Sequence, residues 1–297
     1  MIYTVTFNPA IDYVMHVGEI TLGKTNRSSC EEIHFGGKGI NLSLVLSELG
    51  KDTTALGFVV GFTGDALEKA VEKKGIKTDF IHLKSGNTRI NVKLKGEKET
   101  EINAAGPRIE ADELNQLFEK MELLKSGDTL VLAGSVPASL PNDIYEQIAE
   151  KIQNKNIRLV VDATGELLLK VLKYKPFLIK PNKQELEEVA KMELKTEKDM
   201  ILAATDLKNM GAENVLVSLR EDGALLVAGD GKVYKKSAFK VTAVNTVGAG
   251  DSMLAGFLAG VDNGFEYALK LGAAAGAATA ASNTLATKGK IEELLNR

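Results

Sequence analysis

The chain reads as an α/β protein of three α/β/α layers, with a mainly parallel central sheet and a small β-sheet standing outside it as a lid. Short apolar strands alternate with helical stretches through most of the 297 residues, the pattern of a parallel sheet covered on both faces. Residues out of keeping with a plain core recur where those strands end, the edge at which open α/β sheets collect ligands. Two segments, at about 13–35 and 87–105, break the rhythm with extended, alternating sequence such as Thr88-Arg89-Ile90-Asn91-Val92-Lys93-Leu94. They read as antiparallel strands inserted into a single domain spanning 1–297.

Residues 3–7 alternate polar and apolar side chains and stop at Asn8-Pro9, as a strand entering a turn does. Residues 39–49 carry Ile40, Leu44, Val45 and Leu49 at helical spacing, and Gly50 ends them. A strand at 54–60 and a helix at 64–74 follow, the helix closed by Gly75. Beyond the second irregular segment come a strand at 129–133, a helix at about 142–154 and a strand at 158–161 that ends on Asp162. A strand at 177–179 runs into Lys180-Pro181-Asn182, with helices at 183–190 and 197–210 behind it. The strand at 214–218 turns through Arg220 to Gly223 into another strand. The Ala- and Gly-rich helix at 273–282 has little side chain, so a close neighbour is expected, most simply another helix; the Lys-rich end (Lys288, Lys290) reads as solvated surface.

Lys plus Arg number 37 against 40 for Asp plus Glu, a net charge of −3, which gives no electrostatic case for nucleic acid or an acidic membrane. No stretch is long and apolar enough for a membrane span, and the first residues lack the layout of a secretory leader. The single cysteine, Cys30, excludes an internal disulfide and fits a reducing compartment, so a cytoplasmic protein is expected. His16, His34 and His82 are too scattered to propose a metal cluster and are assigned, with Cys30, to structure or surface.

The most informative stretch is Val244-Asn245-Thr246-Val247-Gly248-Ala249-Gly250-Asp251-Ser252, a Gly-rich turn followed by an apolar helical run. Amides at a helix N-terminus lack internal partners and suit an anion, and glycine lets it approach. Asp251 has two readings there: an ordinary cap, or a carboxylate placed to take a proton from a hydroxyl while the amides hold a transferring phosphoryl group. A second Gly-rich turn, Gly36-Gly37-Lys38-Gly39-Ile40-Asn41, matches neither a Walker A loop nor the dinucleotide fingerprint. It is either a structural turn or a floor for a polyol, with Lys38 and Asn41 as donors. Asp12, just after the first strand, is a turn residue or a ligand of two sugar hydroxyls. Arg89 and Lys93 alternate to one face of the accessory sheet, as a solvated face or as a phosphate site. Asn182 and Glu185 make a capping pair, or act through water on Mg²⁺.

Together these residues resemble the ribokinase-like (PfkB) sugar kinases. The resemblance runs from Asn8-Pro9-Ala10-Ile11-Asp12 to the Ala-rich helix and includes both family signatures, at 36–41 and 246–252, with Gly134-Ser135-Val136-Pro137 and Lys180-Pro181-Asn182 in family order. It implies a kinase that uses ATP and Mg²⁺, and in many members a homodimer formed through the lids. Carried onto this chain, Asp251 would be the base, and the amides of Gly248, Ala249 and Gly250 the anion hole. Asp12, Gly37, Lys38 and Asn41 would hold the sugar, with Arg89, Lys93 and Ser135 near its phosphate. Lys180, Asn182, Ser218, Arg220, Gly223, Thr246, Gly250 and Asn283 would border ATP, and Glu185 would organise Mg²⁺ through water. The lid sequence at 88–94 is similar to the phosphosugar branch, which implies a ketohexose phosphate substrate: fructose 1-phosphate first, with tagatose 6-phosphate and fructose 6-phosphate as alternatives. Asn245 stands where many members have an Asp that helps bind a monovalent cation, and its neutrality weakens the case for K⁺. A sugar-phosphate sensor without transfer activity is the rival outside the enzymes, and the intact Asp251 turn speaks against it.

Overall fold

The computed structural model describes residues 1–297. Strand β1 (Ile2–Thr6) runs up the centre of the main sheet and Asn8-Pro9 passes the chain into β2 (Ala10–Val17) and β3 (Ser28–Gly36). Then follow α1 (Lys38–Glu48), β4 (Thr53–Val59), α2 (Gly61–Lys73) and four short strands: β5 (Lys77–Thr78), β6 (Ile81–His82), β7 (Arg89–Lys95) and β8 (Thr100–Ile102). The second half contains α3 (Ala111–Glu122), β9 (Thr129–Ala133), α4 (Ile144–Ile152), β10 (Arg158–Asp162), α5 (Gly165–Val171), β11 (Leu178–Ile179), α6 (Lys183–Ala190), α7 (Glu197–Asn209) and β12 (Val215–Ser218). It ends with β13 (Ala224–Val227), β14 (Val233–Lys236), α8 (Ala249–Gly260), α9 (Phe265–Ala280) and α10 (Lys288–Leu295).

The main sheet has the order β14-β13-β12-β11-β10-β9-β1-β4-β5, with β6 also on β4. From β12 to β5 every pairing is parallel, and β13 and β14 add an antiparallel edge. Every residue of β4 and β9 is buried, because helices cover both faces. Apolar side chains of α3 to α7 pack on one face, and those of α1, α8, α9 and α10 on the other. The chain moves from β1 to the β4 side and later returns to place β9 on the opposite flank. The β1/β9 junction is therefore the switch point of the sheet, where a ligand crevice is expected.

The lid is a four-stranded sheet in the order β3-β2-β7-β8. The expectation of antiparallel strands is corrected in one place: β2 and β7 pair in parallel, in the register Asp12↔Asn91 and Val14↔Lys93. Each leaves the same edge of the main sheet, β2 after β1 and β7 after β6, so they travel in the same direction. Alternation gives the lid two unlike faces. Asp12, Glu32, His34, Asn91 and Lys93 share one, while Ile11, Ile33, Phe35, Ile90 and Ile102 share the other.

The small residues of the Ala- and Gly-rich segment serve a helix contact. That helix begins earlier than expected, at Phe265, and lies against α8 so closely that a Cβ on Gly272 would stand 2.7 Å from the Met253 carbonyl oxygen. Lys288 and Lys290 are exposed, as expected, on a helix, α10, that buries Ile291 and Leu294 beneath them. A Cβ on Gly256 would lie 2.7 Å from Leu271 O and 2.9 Å from Gly272 Cα, both backbone atoms that cannot swing away. Gly256→Ala therefore lowers stability by about 1–3 kcal/mol in denaturant unfolding, although alanine is the better helix former by ~1 kcal/mol. A stabilised variant would show that the two helices separate at no cost.

Candidate active site

Parallel strands end side by side, and here their ends deliver Asn8, Gly134, Asp162, Lys180 and Ser218 to one edge. Across from them α8 begins in the Gly-rich turn. Gly248 adopts φ 78° as the N-cap, a left-handed conformation that glycine accepts without strain. Asn245 Oδ1 accepts from the Val247 amide at 3.0 Å, and Thr246 O accepts from the Ala249 amide at 3.2 Å. The amides of Gly248, Gly250 and Asp251 have no hydrogen-bond partner in the protein. Thus two of the three amides expected to face an anion are free, Ala249 is engaged by the turn, and the amide of Asp251 is free as well.

Asp251 is 6% exposed and accepts one hydrogen bond, from Asn41 Nδ2 at 2.8 Å. Burial, and next the negative charge of Asp162, push its carboxyl up from 3.8 to about 6. Asp162 is 1% exposed and lies between two ammonium groups, with Lys38 Nζ at 3.1 Å from one carboxylate oxygen and Lys180 Nζ at 3.3 Å from the other. Burial works to raise its pKa, but the combined attraction of Lys180 and Lys38 holds it below the ordinary carboxylate value. Burial likewise opposes the charge of Lys38, and Asp162 and Asp251 together keep its pKa raised. Lys180 Nζ is also 3.5 Å from where a Cβ of Gly250 would stand, so a cation sits beside the free amides.

On the lid side, Asp12 is a strand residue of β2 rather than a turn residue. Its carboxylate accepts from Asn91 Nδ2 at 2.8 Å and faces Lys93 Nζ at 3.2 Å. Lys93 also meets Glu101 at 3.6 Å, so its charge is already matched by two carboxylates. Arg89 differs. Its Nε donates to Asn8 O at 3.1 Å and Nη1 to Ala104 O at 3.3 Å, with no carboxylate in ion-pair contact. Burial lowers its pKa, against a weaker opposing pull from Asp12. Gly37, at φ 133°, lets α1 start against β1, since a Cβ there would come within 2.6 Å of Thr6 Cγ2. Ser135 is exposed beyond β9. A cleft of about 310 Å³ separates the lid from the loop around Asn245, with Asp12, His34, Lys93, Val247 and Asn283 among its walls.

Asn182 and Glu185 form the capping box of α6: Asn182 Oδ1 accepts from the Glu185 amide at 2.9 Å, and Glu185 Oε2 accepts from the Asn182 amide at 2.8 Å. The plain reading of that pair is thus satisfied, with Glu185 Oε1 left over. Asn182 also bridges to Ser218, while Arg220 (φ 52°) and Gly223 (φ 101°) shape the exposed turn behind it. Asn245 Nδ2 donates to Asn283 O at 3.3 Å, which ties the Thr246 segment to the loop after α9. One feature went unassigned in the sequence: the lysine clamp on Asp162 had as its only signal a strand ending on Asp. His16 and His34, assigned to structure or surface, both contact Glu32 on the polar face of the lid, at 2.7 and 3.1 Å.

A buried carboxylate beside free amides and two lysines, at the switch point of a parallel sheet, defines a phosphotransferase that acts on a hydroxyl. Comparison with known proteins agrees. The model of the pfkB family carbohydrate kinases matches residues 5–289. The chain is 46% identical over 297 residues to the 1-phosphofructokinase of Bacillus subtilis (strain 168), covering 99% of this chain and 97% of that one. It is 36% identical over 296 residues to the D-tagatose-1-phosphate kinase of Bacillus licheniformis, covering 99% and 97%. Phosphofructokinase-2 from Escherichia coli, solved in complex with fructose-6-phosphate, superposes with a TM-score of 0.92 at 28% identity, over 99% of this chain and 98% of that one. The chain belongs to the PfkB family of carbohydrate kinases.

The raised carboxyl of Asp251 is a stability liability. Its folded pKa of about 6 exceeds the ordinary 3.8, so the penalty is fully present above about pH 6 and vanishes below the ordinary value. Asp251→Asn accordingly stabilises the fold at pH 8, on the order of 1–3 kcal/mol, with the gain shrinking as pH falls from 6 to 4. Denaturant unfolding at pH 8 and pH 4.5 measures this, and an equal difference at both values would contradict the charge origin.

Proposed function

We propose that the protein is an ATP- and Mg²⁺-dependent kinase of a ketohexose 1-phosphate, converting fructose 1-phosphate to fructose 1,6-bisphosphate in the cytoplasm. The observation that carries this reading is the pairing of Asp251, buried and directed by Asn41, with the free amides of Gly248, Gly250 and Asp251. In the reaction the sugar 6-hydroxyl gives its proton to Asp251. Its oxygen bonds to the γ-phosphorus as the bond from that phosphorus to the β,γ-bridging oxygen breaks, and ADP leaves. The amides and the ammonium of Lys180 receive the negative charge of the transferring group, where fixed donors in a dry cleft are most effective. Asp12, Lys38 and the Gly37–Asn41 turn hold the sugar. Arg89, held by carbonyl oxygens at the root of the lid and by no carboxylate, takes the 1-phosphate in preference to Lys93.

No group of three His, Cys, Asp or Glu side chains is arranged to hold a metal alone. Mg²⁺ on nucleotide phosphates does not need one, because it keeps most of its waters and takes one or two carboxylates. Glu185, with an oxygen outside the cap, fits that requirement, and Asn182 beside it faces the same edge. When bound, the ion neutralises charge on the β- and γ-phosphates. Ser218, Arg220, Gly223, Thr246 and Asn283 border the nucleotide. The apolar face of the lid, with Ile33 55% and Ile102 59% exposed, suits a second copy of the chain, giving a homodimer through the lids.

The position of the substrate phosphate is supported by two curated relatives, whose names both place it on carbon 1 of a ketohexose. The same pair keeps tagatose 1-phosphate as a second reading. ATP consumption with fructose 1-phosphate, tagatose 1-phosphate, fructose 6-phosphate, tagatose 6-phosphate and fructose tests the assignment. Fastest turnover with a 6-phosphate would overturn the phosphate position while leaving the kinase. Asp251→Asn lowers kcat by about 10²–10⁴-fold, and wild-type kcat falls as pH drops through about 6, where the base becomes protonated. Arg89→Ala cuts kcat/KM for fructose 1-phosphate by roughly 10–100-fold and for fructose only a few-fold. Equal losses on both sugars would remove Arg89 from the phosphate.

A further inference from the structure

We propose that Asp162 is a positioning residue of the transfer: it clamps the ammonium groups of Lys38 and Lys180, which come from different elements, and keeps a fixed negative charge facing Asp251. This rests on the kinase reading above. The geometry singles Asp162 out. It is the most deeply buried carboxylate at the strand edge, at 1% exposure, and its two oxygens are divided between two cations from different elements. Lys38 reaches it from the first turn of α1, and Lys180 from the end of the neighbouring strand β11. No backbone amide or cap uses the carboxylate, so Oδ2 is left to its ion pair with Lys180 at 3.3 Å.

Two long, flexible ammonium side chains would otherwise compete for Asp251. The charged groups facing Asp251 are Lys38 from α1, Lys180 from β11 and Asp162 from β10. Asn41 supplies its one hydrogen bond, and Glu185 adds a more distant charge through Lys38. With Asp162 ionised, the lysines are held where an incoming sugar and a triphosphate can meet them, and Asp251 is free of a direct ion pair. Without that charge, either lysine can swing onto Asp251, make it a weaker base and desert its substrate. Tyr145 completes the support: its buried hydroxyl, with a pKa raised by burial and then by Asp162, stays protonated and donates to Gly134 O at 2.9 Å, beside the Lys38 stem.

The test compares Asp162→Asn, which removes the charge, with Asp162→Glu, which keeps it. Asp162→Asn is expected to lower kcat about 10²-fold, to raise KM for both ATP and sugar phosphate, and to move the acid limb of kcat to lower pH. Asp162→Glu loses turnover but keeps the acid limb of the wild type. A purely structural role would lower yield and melting temperature in both variants without moving that limb, and this would overturn the proposal. Carboxyl ¹³C NMR titration of Asp251 supplies a readout that does not need turnover: its midpoint falls in folded Asp162→Asn, and an unchanged midpoint sinks the idea. If that variant does not fold, the wild type decides, since Asp162 must stay ionised throughout the range in which Asp251 titrates. Absence of transfer to any sugar phosphate by wild-type protein, with the NMR shift present, would reject the kinase reading and leave the clamp.

Discussion

Two carboxylates buried in one cleft repel each other, and the rest of the site is arranged around that repulsion. Asp162 and Asp251 cannot both be ionised in a dry environment without compensation. The protein compensates them unequally, with Lys38 and Lys180 in direct contact with Asp162 and a neutral amide, Asn41, as the one hydrogen-bond partner of Asp251. The outcome is a fully charged anchor beside a carboxylate poised near neutrality. The sheet makes this possible. In the parallel register Val161 lies beside Ile179, so the next residues, Asp162 and Lys180, emerge as neighbours at the same edge. Asp251 is brought to them by α8, whose depth is set by the glycine contacts with α9.

The lid answers a different constraint. A sheet hanging off the main body exposes both faces, and alternation has made one polar and one apolar. On the polar face the charges are largely matched: Lys93 with Asp12 and Glu101, His16 and His34 with Glu32. Arg89, at the root of the lid, is the cation held by carbonyl oxygens alone. A guanidinium oriented by neutral acceptors keeps its charge available to an anion, whereas an ammonium already shared by two carboxylates must be withdrawn from them first. The apolar face packs on its own chain only at its base, where Ile11 is buried and Phe35 meets the cluster of Ile40, Val59 and Leu67, while Ile33 and Ile102 further out stay exposed.

Much of the fold was legible because periodicity is a local signal. Fully apolar runs such as 129–133 have only one comfortable home, between two helical layers, and glycines at 50 and 75 mark helix ends for conformational reasons. The Gly-rich turns were legible for the same reason. Pairings were not. Nothing in the alternation of 13–35 and 87–105 distinguishes a parallel from an antiparallel neighbour, because side-chain period is the same in both. The clamp joins Lys38 to Asp162 across 124 residues, and Asn41 meets Asp251 across 210. Such contacts are created by topology, and a single sequence read locally contains no trace of them. Lys93 shows the limit well: its position on the polar face followed from alternation, but the two carboxylates that occupy it did not.

Where a residue has a plain structural explanation and a chemical one, the hydrogen bonds decide how much of it is left for chemistry. Glu185 is a true capping residue, and Oε2 accepts from the Asn182 amide, so Oε1 is the oxygen left without a partner for any role with Mg²⁺. Asp251 is the opposite case. It occupies the third position of α8, yet Gly248 is the N-cap and no side chain caps the helix. Its carboxylate accepts nothing from the backbone, and its amide has no acceptor. A helix that needed an acidic residue in its first turn would be served as well by one in solvent, at no desolvation cost. Burying the charge, raising its pKa to about 6 and leaving it a single hydrogen-bond partner is a loss to folding that capping does not explain, and the proposed transfer to a hydroxyl does.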